Sequence, residues 1–209
     1  DKVYLLYIGY LLSAFVVLSS LTGYGYFLFS DNVMELLNQY AIFTHFLLVI
    51  FLLLFTVYFL RYDRLKHWAF NASISVVVIL SLIALYSLSL DELAQTKLFF
   101  SSQPLLYLVA LALIINRLKR DFSWARFYFL SWLPLLAGAV IQPMVLLNQL
   151  EYSFVTGNAF LFALIIEVTF MAFALAERIR RNEQEKLTMI AYHQSNQLPR
   201  QTNLDHKIS

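Results

Sequence analysis

Six long stretches without charge constrain this chain more than any other feature of its sequence. A helix needs about 20 apolar residues to cross the hydrocarbon core of a bilayer. Five of the stretches contain no Asp, Glu, Lys or Arg, and the sixth contains only Glu167. The stretches are 3–21, 40–60, 68–90, 98–115, 127–147 and 157–176. Because backbone groups in lipid must be hydrogen-bonded internally, we expect an all-α fold, a polytopic bundle of six transmembrane helices.

Composition agrees with a membrane domain. The 209 residues are 60% hydrophobic and 13% charged, whereas soluble domains are roughly a quarter charged. We therefore expect residues 1–176 to form one helical domain whose main partner is membrane lipid, with no nucleic-acid partner. The longest connection, 23–39, contains the turn-prone pair Asp31 and Asn32 and is predicted to be a loop.

The distribution of basic residues predicts the orientation. Three Lys or Arg residues lie in 61–67, four in 116–126 and four in 177–186, whereas the opposite connections contain only Lys97. Short cytoplasmic loops are enriched in Lys and Arg. We therefore expect a multi-pass membrane protein with both ends of this chain in the cytoplasm.

The sequence contains no pattern that indicates catalysis. It has no cysteine, no Gly-rich phosphate loop and no His-Glu-x-x-His metal motif. No Gly-x-Ser-x-Gly nucleophile is present. We expect this segment to have no catalytic residues, no cofactor and no metal, and not to be an enzyme.

Glu167 is the one ionisable acid in a predicted span, and such residues are often functional. It lies about 15 Å from either surface at 1.5 Å per residue. It must be protonated, paired inside the bundle or next to a water-filled cavity. His45 and Gln142, in the outer halves of their spans, are candidate partners, and Tyr107 and Thr169 are further options. The cluster is either a signalling element or a structural clasp between helices.

Prolines interrupt the hydrogen bonding of one predicted span. Pro134 and Pro143 both fall within 127–147, with Gly138 between them. Each proline lacks a backbone donor, so we expect a kinked or locally broken helix, either a hinge or a static kink. Pro104 lies near the start of 98–115, where proline is ordinary.

Two stretches resemble a known family. Residues 125–132 read ARFYFLSW, and residues 167–179 read EVTFMAFALAERI. They resemble the membrane domain of bacterial seven-transmembrane receptors with diverse intracellular signalling modules. That family has an Ala-Arg-x-Phe…Ala-Trp motif entering its sixth helix and Glu…Leu-Ala-Leu-Ala-Asp-Arg-Ile leaving its seventh. Ser131 replaces the usual alanine and Glu177 the usual aspartate.

The resemblance implies a modular receptor in a bacterial inner membrane. Residues 1–7 resemble the turn that enters the family's second helix, so the first helix would lie upstream of this chain. A ligand-binding domain outside the membrane would precede the helices, a cytoplasmic output module would follow, and the receptor would work as a homodimer. Arg126 and Glu177 would lie at the same level of antiparallel neighbours, and we expect them to pair.

The tail carries a second, weaker resemblance. Residues 177–192 have a charged helical pattern and are predicted to form a signalling helix that leaves the membrane. Residues 191–200 read AYHQSNQLPR and resemble a degenerate opening of diguanylate-cyclase-type domains. Residues 193–209 are therefore either a linker or the start of such an output, which would place the protein in cyclic-di-GMP signalling.

The function favoured by the sequence is transmembrane signal transduction. The alternative is a small carrier or channel that uses Glu167 as a proton or ion site.

Overall fold

A computed structural model describes residues 2–23, 25–62, 68–119, 122–146 and 148–208. Within these ranges, the side chains of 21–22, 122–125, 142–143, 146 and 193–208 are not described. The described residues form helices and no strand. The helices are α1 (Lys2–Thr22), α2 (Gly25–Leu28), α3 (Asp31–Gln39), α4 (Ala41–Phe59), α5 (Trp68–Ser87), α6 (Glu92–Leu118), α7 (Phe122–Leu146), α8 (Phe154–Gly157) and α9 (Ala159–Ile208).

The helices confirm the predicted all-α membrane bundle. Among the described residues, α1, α4, α5, α6 and α9 are long and apolar enough to cross a bilayer. The sixth predicted span corresponds to α7, whose described apolar part is Arg126–Ile141. Large apolar side chains on the outer surface, such as Leu5 and Leu12 on α1 and Leu82 on α5, are exposed. They suit a surface that faces acyl chains, because lipid is the solvent there.

The bundle is built around two helices. α4 packs against α1, α5 and α6, and about half of its apolar window is buried, against about a fifth for α5. α7 and α9 form the most extensive helix pair, and α9 also touches α1. Connections rich in Arg and Lys lie at one end of the bundle, called here the basic end. The helix ends that are joined by residues 23–40, 88–97 and 147–158 form the opposite end of the bundle, called here the acidic end.

A glycine brings α7 and α9 close together. A Cβ atom added at Gly138 would lie 2.6 Å from the Cβ of Ala163 and 3.2 Å from the backbone oxygen of Ala159. Small residues let membrane helices approach and gain van der Waals contact, which replaces the hydrophobic drive that lipid does not provide. The close α7–α9 pair therefore depends on Gly138.

Several predicted boundaries differ from the structure. The predicted loop 23–39 contains α2 and α3, and Asp31 begins α3 after Ser30, whose backbone is extended as at a helix N-cap. Helix α6 starts at Glu92, so Pro104 lies in its interior and not in its first turn. Polar residues such as Glu92 and Gln95 extend the helix beyond its apolar part. The length of the apolar stretch alone therefore does not give the true start of the helix.

The last span does not end where its apolar residues end. Helix α9 runs for 50 residues from Ala159 to Ile208, about 75 Å at 1.5 Å per residue. It includes 177–192, the predicted signalling helix, and the backbone of 193–208, predicted to be a linker or the start of an output domain. The side chains that carry the cyclase-type resemblance lie outside the described residues.

Candidate functional site

Glu167 lies in the centre of the bundle and is completely buried. It is on α9, and its Oε2 atom accepts a hydrogen bond from the hydroxyl of Tyr10 on α1. The other oxygen, Oε1, is also buried and has no hydrogen-bond partner among the described residues. A carboxyl removed from water is stabilised by each hydrogen bond that it accepts. The Tyr10 hydroxyl therefore ties α1 to α9 at mid-bundle.

Three further tyrosines surround this carboxyl. The hydroxyl of Tyr7 donates to the backbone oxygen of Val168 at 3.4 Å, one residue after Glu167. Tyr107 on α6 and Tyr128 on α7 lie near enough to interact electrostatically with Glu167. Glu167 thus binds a polar group of α1 and lies near tyrosines of α6 and α7.

An aromatic column runs from this level to the basic end. The ring of Tyr107 lies 6.3 Å from Trp132, Trp132 lies 6.4 Å from Tyr128, and Tyr128 lies 4.8 Å from Phe59, measured between ring centroids. The guanidinium of Arg178 lies 5.3 Å from the Phe59 ring centroid, within the range of cation–π attraction. The column therefore joins the middle of the bundle to the point where α9 leaves it.

A second contact holds α9 at the basic end. Arg61, which follows α4, donates to the Oδ1 atom of Asn182, and its guanidinium lies 3.7 Å from the carboxylate of Glu185. Arg61 has a φ of 60°, a left-handed conformation that is uncommon for residues other than glycine. This turn directs the Arg61 side chain toward the extension of α9.

The acidic half of the bundle contains a cavity of about 850 Å³. Residues of α1, α4, α6, α7 and α9 line it, mainly with apolar and aromatic side chains. Its polar lining residues include Tyr10, His45, Gln103, Tyr107 and Asn158. Because Tyr10 also binds Glu167, the floor of this acidic-end cavity connects directly to the buried carboxyl.

Comparison with known proteins decides the family. Residues 1–178 match the model of the family described as 7TM diverse intracellular signalling. The chain belongs to this family. No curated protein and no solved structure matches it. The 7TM diverse intracellular signalling match and the apolar helices together make this chain a multi-pass membrane domain of a signalling protein.

The other predicted partners of Glu167 in this 7TM diverse intracellular signalling domain have different positions. Thr169 donates instead to the backbone oxygen of Ile165 on its own helix. His45 lines the acidic-end cavity, where its Nδ1 atom lies 2.7 Å from the backbone oxygen of Ala41 and its ring packs edge-on against Phe99. The described contacts of Glu167 do not include His45. The side chain of Gln142 lies outside the described residues.

The predicted ion pair between Arg126 and Glu177 is wrong. Glu177 instead binds Arg180 at 2.9 Å and Arg181 at 3.2 Å, three and four residues further along the same helix. The guanidinium of Arg126 is 4.8 Å from the ring centroid of its neighbour Phe127. Neighbours one turn away on a helix are held close by the helix itself, so they outcompete a partner on another helix. Their hydrogen bonds hold the pKa of Glu177 below its ordinary value.

The two prolines of α7 do not break it. The helix continues from Phe122 to Leu146 through both Pro134 and Pro143. The predicted local break is therefore not present in the described backbone, whereas the predicted kink stays a prediction. The side chain of Pro143 is not described, and a hinge at these prolines stays a prediction.

Three residues with a part in this site were missed by sequence reasoning. Tyr10 and Gln103 lie within uncharged spans, and Arg61 was counted only as a basic loop residue. A hydroxyl or an amide in the middle of a span was an available signal, because buried polar groups need partners. Which helix would supply the partner was not readable from the sequence.

Proposed function

We propose that this bundle relays an event at its acidic end to an output module attached beyond α9. The observation that carries the proposal is the continuity of α9. One helix contains the buried Glu167, passes the Arg61 and Arg178 contacts and extends to Ile208. A continuous helix transmits a rotation or tilt over its length, so a change of packing at Glu167 would reach the output.

The orientation that we propose places the basic end in the cytoplasm of a bacterium, with the bundle in the inner membrane and both ends of this chain on the cytoplasmic side. The excess of Lys and Arg at one set of short connections supports it. The acidic-end cavity would then lie in the half of the bundle near the outside.

The mechanism that we propose is a shift between two packings of the helices. Helix α9, with α7 and its Pro134 and Pro143, would be the moving pair. The Tyr10–Glu167 hydrogen bond would hold one packing, and the aromatic column would repack with it. A ligand that favours the other packing shifts the population only by its difference in affinity for the two.

The output and the partners are also proposals. The resemblance of 191–200 to cyclase-type openings supports an output that makes or degrades cyclic-di-GMP. A homodimer is supported by Leu187 and Ile190, which are exposed on the extension of α9 and which a second copy would cover. The ligand would act through an upstream domain, and no nucleic acid would take part.

An insertion series tests the relay. One alanine inserted between Leu187 and Thr188 rotates the following part of α9 by about 100° relative to the bundle. An insertion of seven residues rotates it by about 20° less than two full turns, which nearly restores the original phase. In the full-length protein without ligand, we expect the one-residue insertion to change cyclic-di-GMP turnover. We expect the seven-residue insertion to restore turnover to the parent level. The same insertions after Glu151, in an exposed connection, serve as the control.

The two outcomes separate clearly. Turnover that follows helical phase supports transmission through α9. Turnover that is unchanged across the whole series contradicts it, because the output would then be insensitive to the helix that joins it to the bundle.

The alternative function is a carrier or channel, and the unpaired, buried Oε1 atom of Glu167 favours it. Reconstituted vesicles test it through proton or cation flux. Flux that Glu167→Gln abolishes would support the carrier, whereas vesicles that show no flux with the parent protein would leave the receptor as the function.

A further inference from the structure

The acidic-end cavity has a neutral lining. None of its described lining residues is Asp, Glu, Lys or Arg. A charged ligand would lose its hydration there without gaining a counter-charge, which is costly. The cavity therefore suits an uncharged molecule, and its volume of about 850 Å³ lies in the usual range for small-molecule sites.

One polar group in this cavity has no partner. Gln103 is 92% buried, being 8% exposed, and its Nε2 atom has no hydrogen-bond partner among the described residues. Buried amide donors are nearly always satisfied, and each unsatisfied donor costs free energy. Gln103 lines the cavity and thus brings an unpaired amide donor to its wall.

A second polar group lies on the same side. The His45 ring packs edge-on against Phe99, with centroids 5.5 Å apart, and Phe99 is one helical turn before Gln103. The Nδ1 atom of His45 lies 2.7 Å from the backbone oxygen of Ala41, so this nitrogen carries the proton and Nε2 has the lone pair in the neutral ring. A hydroxyl could accept from Gln103 and donate to His45.

The cavity also reaches the outer surface of the bundle. Two of its lining residues, Phe100 on α6 and Val140 on α7, are 44% and 60% exposed. These side chains face both the cavity and the surroundings of the bundle. In a bilayer the surroundings at this depth are acyl chains, so a hydrophobic molecule would approach the cavity from the lipid on this side.

We propose that the acidic-end cavity binds an uncharged amphiphile with a long apolar body and a hydroxyl head, which arrives from the bilayer and pairs with Gln103 and His45. The apolar body packs against the leucines and phenylalanines of the lining. The bound molecule also touches Tyr10, which lines the cavity and donates the hydrogen bond to Glu167. That it alters signalling rests on the proposed function, whereas its binding does not.

Trp132 provides the readout. It is fully buried, and its ring lies 6.3 Å from that of Tyr107, which lines the cavity. Full-length protein carrying Trp68→Phe and Trp124→Phe retains Trp132 as the one tryptophan of this segment, and tryptophans in other domains are replaced likewise. In nanodiscs, a straight-chain alcohol with a terminal bromine should quench Trp132 in a saturable manner, because bromine quenches indole only at short range.

Matched probes and variants identify the site. The bromoalkane of equal length should bind about tenfold more weakly than the alcohol, the effect of about one hydrogen bond, and the bromocarboxylate should not saturate. Gln103→Leu should reduce the affinity for the alcohol, with the bond to His45 remaining, and should leave the affinity for the bromoalkane unchanged. Ala139→Phe fills the cavity and should abolish saturable quenching, whereas Ala137→Phe, on the exposed side of α7, should not.

Three results would overturn the site. The first is quenching by the alcohol that rises linearly without saturation. The second is equal affinity for alcohol and bromoalkane in the parent protein. The third is quenching by a phospholipid with brominated acyl chains that the alcohol cannot displace, because the occupant would then be an ordinary lipid chain. Binding without any change in output would leave the site intact and count against the proposed function.

Discussion

At the scale of single residues, the contact that defines this domain is the hydrogen bond from Tyr10 to Glu167. It joins the first described helix to the last one, and both groups are completely buried. In lipid such a bond does not compete with water. The unfolded chain in the membrane finds other partners, however, so the net stabilisation is modest.

Removal of the Tyr10 hydroxyl should lower stability measurably. We expect Tyr10→Phe to reduce the free energy of unfolding by about 1 kcal/mol, in line with interhelical hydrogen bonds in membranes. Reversible unfolding in mixed micelles provides the measurement. Tyr7→Phe is the matched control on the same helix, because its hydroxyl bond at 3.4 Å is at the limit of hydrogen bonding and should contribute less.

A double-mutant cycle separates the pair from its surroundings. Tyr10→Phe combined with Glu167→Leu should show a coupling of about 0.6 kcal/mol. Glu167→Gln should retain most of the coupling, since its amide oxygen can still accept from Tyr10. A coupling near zero would mean that the bond contributes nothing to the fold.

At the scale of helices, the α7–α9 pair depends on the absence of a side chain. We expect Gly138→Ala to destabilise the bundle by about 1–3 kcal/mol, the usual cost of overpacking, because the new methyl group would lie 2.6 Å from the Cβ of Ala163. Ala163→Gly in the same protein removes the opposing methyl group and should restore much of the loss. Thermal unfolding of the two single variants and the double variant decides this.

The extension of α9 should be held by Arg61. Arg61→Ala retains a Cβ at φ 60°, so the conformational cost of that position is unchanged, but it removes the contacts with Asn182 and Glu185. Partly exposed pairs contribute at most about 1 kcal/mol, so we expect amide exchange beyond Ile179 to become about two- to fivefold faster.

A matched control accompanies the exchange measurement. Arg180→Ala removes a side chain that pairs with Glu177 inside the same helix, so it should leave the attachment of α9 to α4 unchanged. Equal exchange in Arg61→Ala and the parent protein would show that Arg61 does not hold the extension.

At the scale of the whole molecule, the proposed orientation has a direct test. The chain contains no cysteine, so single cysteines in this segment give a clean signal when other domains are made cysteine-free. Ser89 at the acidic end and Gln184 beyond the basic end are both exposed. In intact cells, we expect a maleimide that cannot cross the inner membrane to label Ser89→Cys but to reach Gln184→Cys only after lysis. The reverse labelling pattern would show that the domain has the opposite orientation in the membrane.

The sequence by itself determined the helical class, the spans and the family of this domain. The reason is the solvent: lipid tolerates few charges and no unpaired backbone, so uncharged length alone reveals a spanning helix. The same argument left Glu167 protonated, paired inside the bundle or next to a water-filled cavity, and the structure shows it completely buried, with Tyr10 as its partner. The motifs at residues 125–132 and 167–179 identified the family that the match over 1–178 confirms.

Only the tertiary structure decided which side chains meet. Spans that are apolar on every side carry no pattern that separates a buried face from one that faces lipid. Residue spacing therefore could not reveal that Tyr10 is the partner of Glu167, that Gln103 lines the cavity or that Arg61 contacts α9. The predicted pairing of Arg126 with Glu177 failed because two residues at the same depth in the membrane need not be in contact. Glu177 pairs instead with Arg180 and Arg181, one turn away on α9.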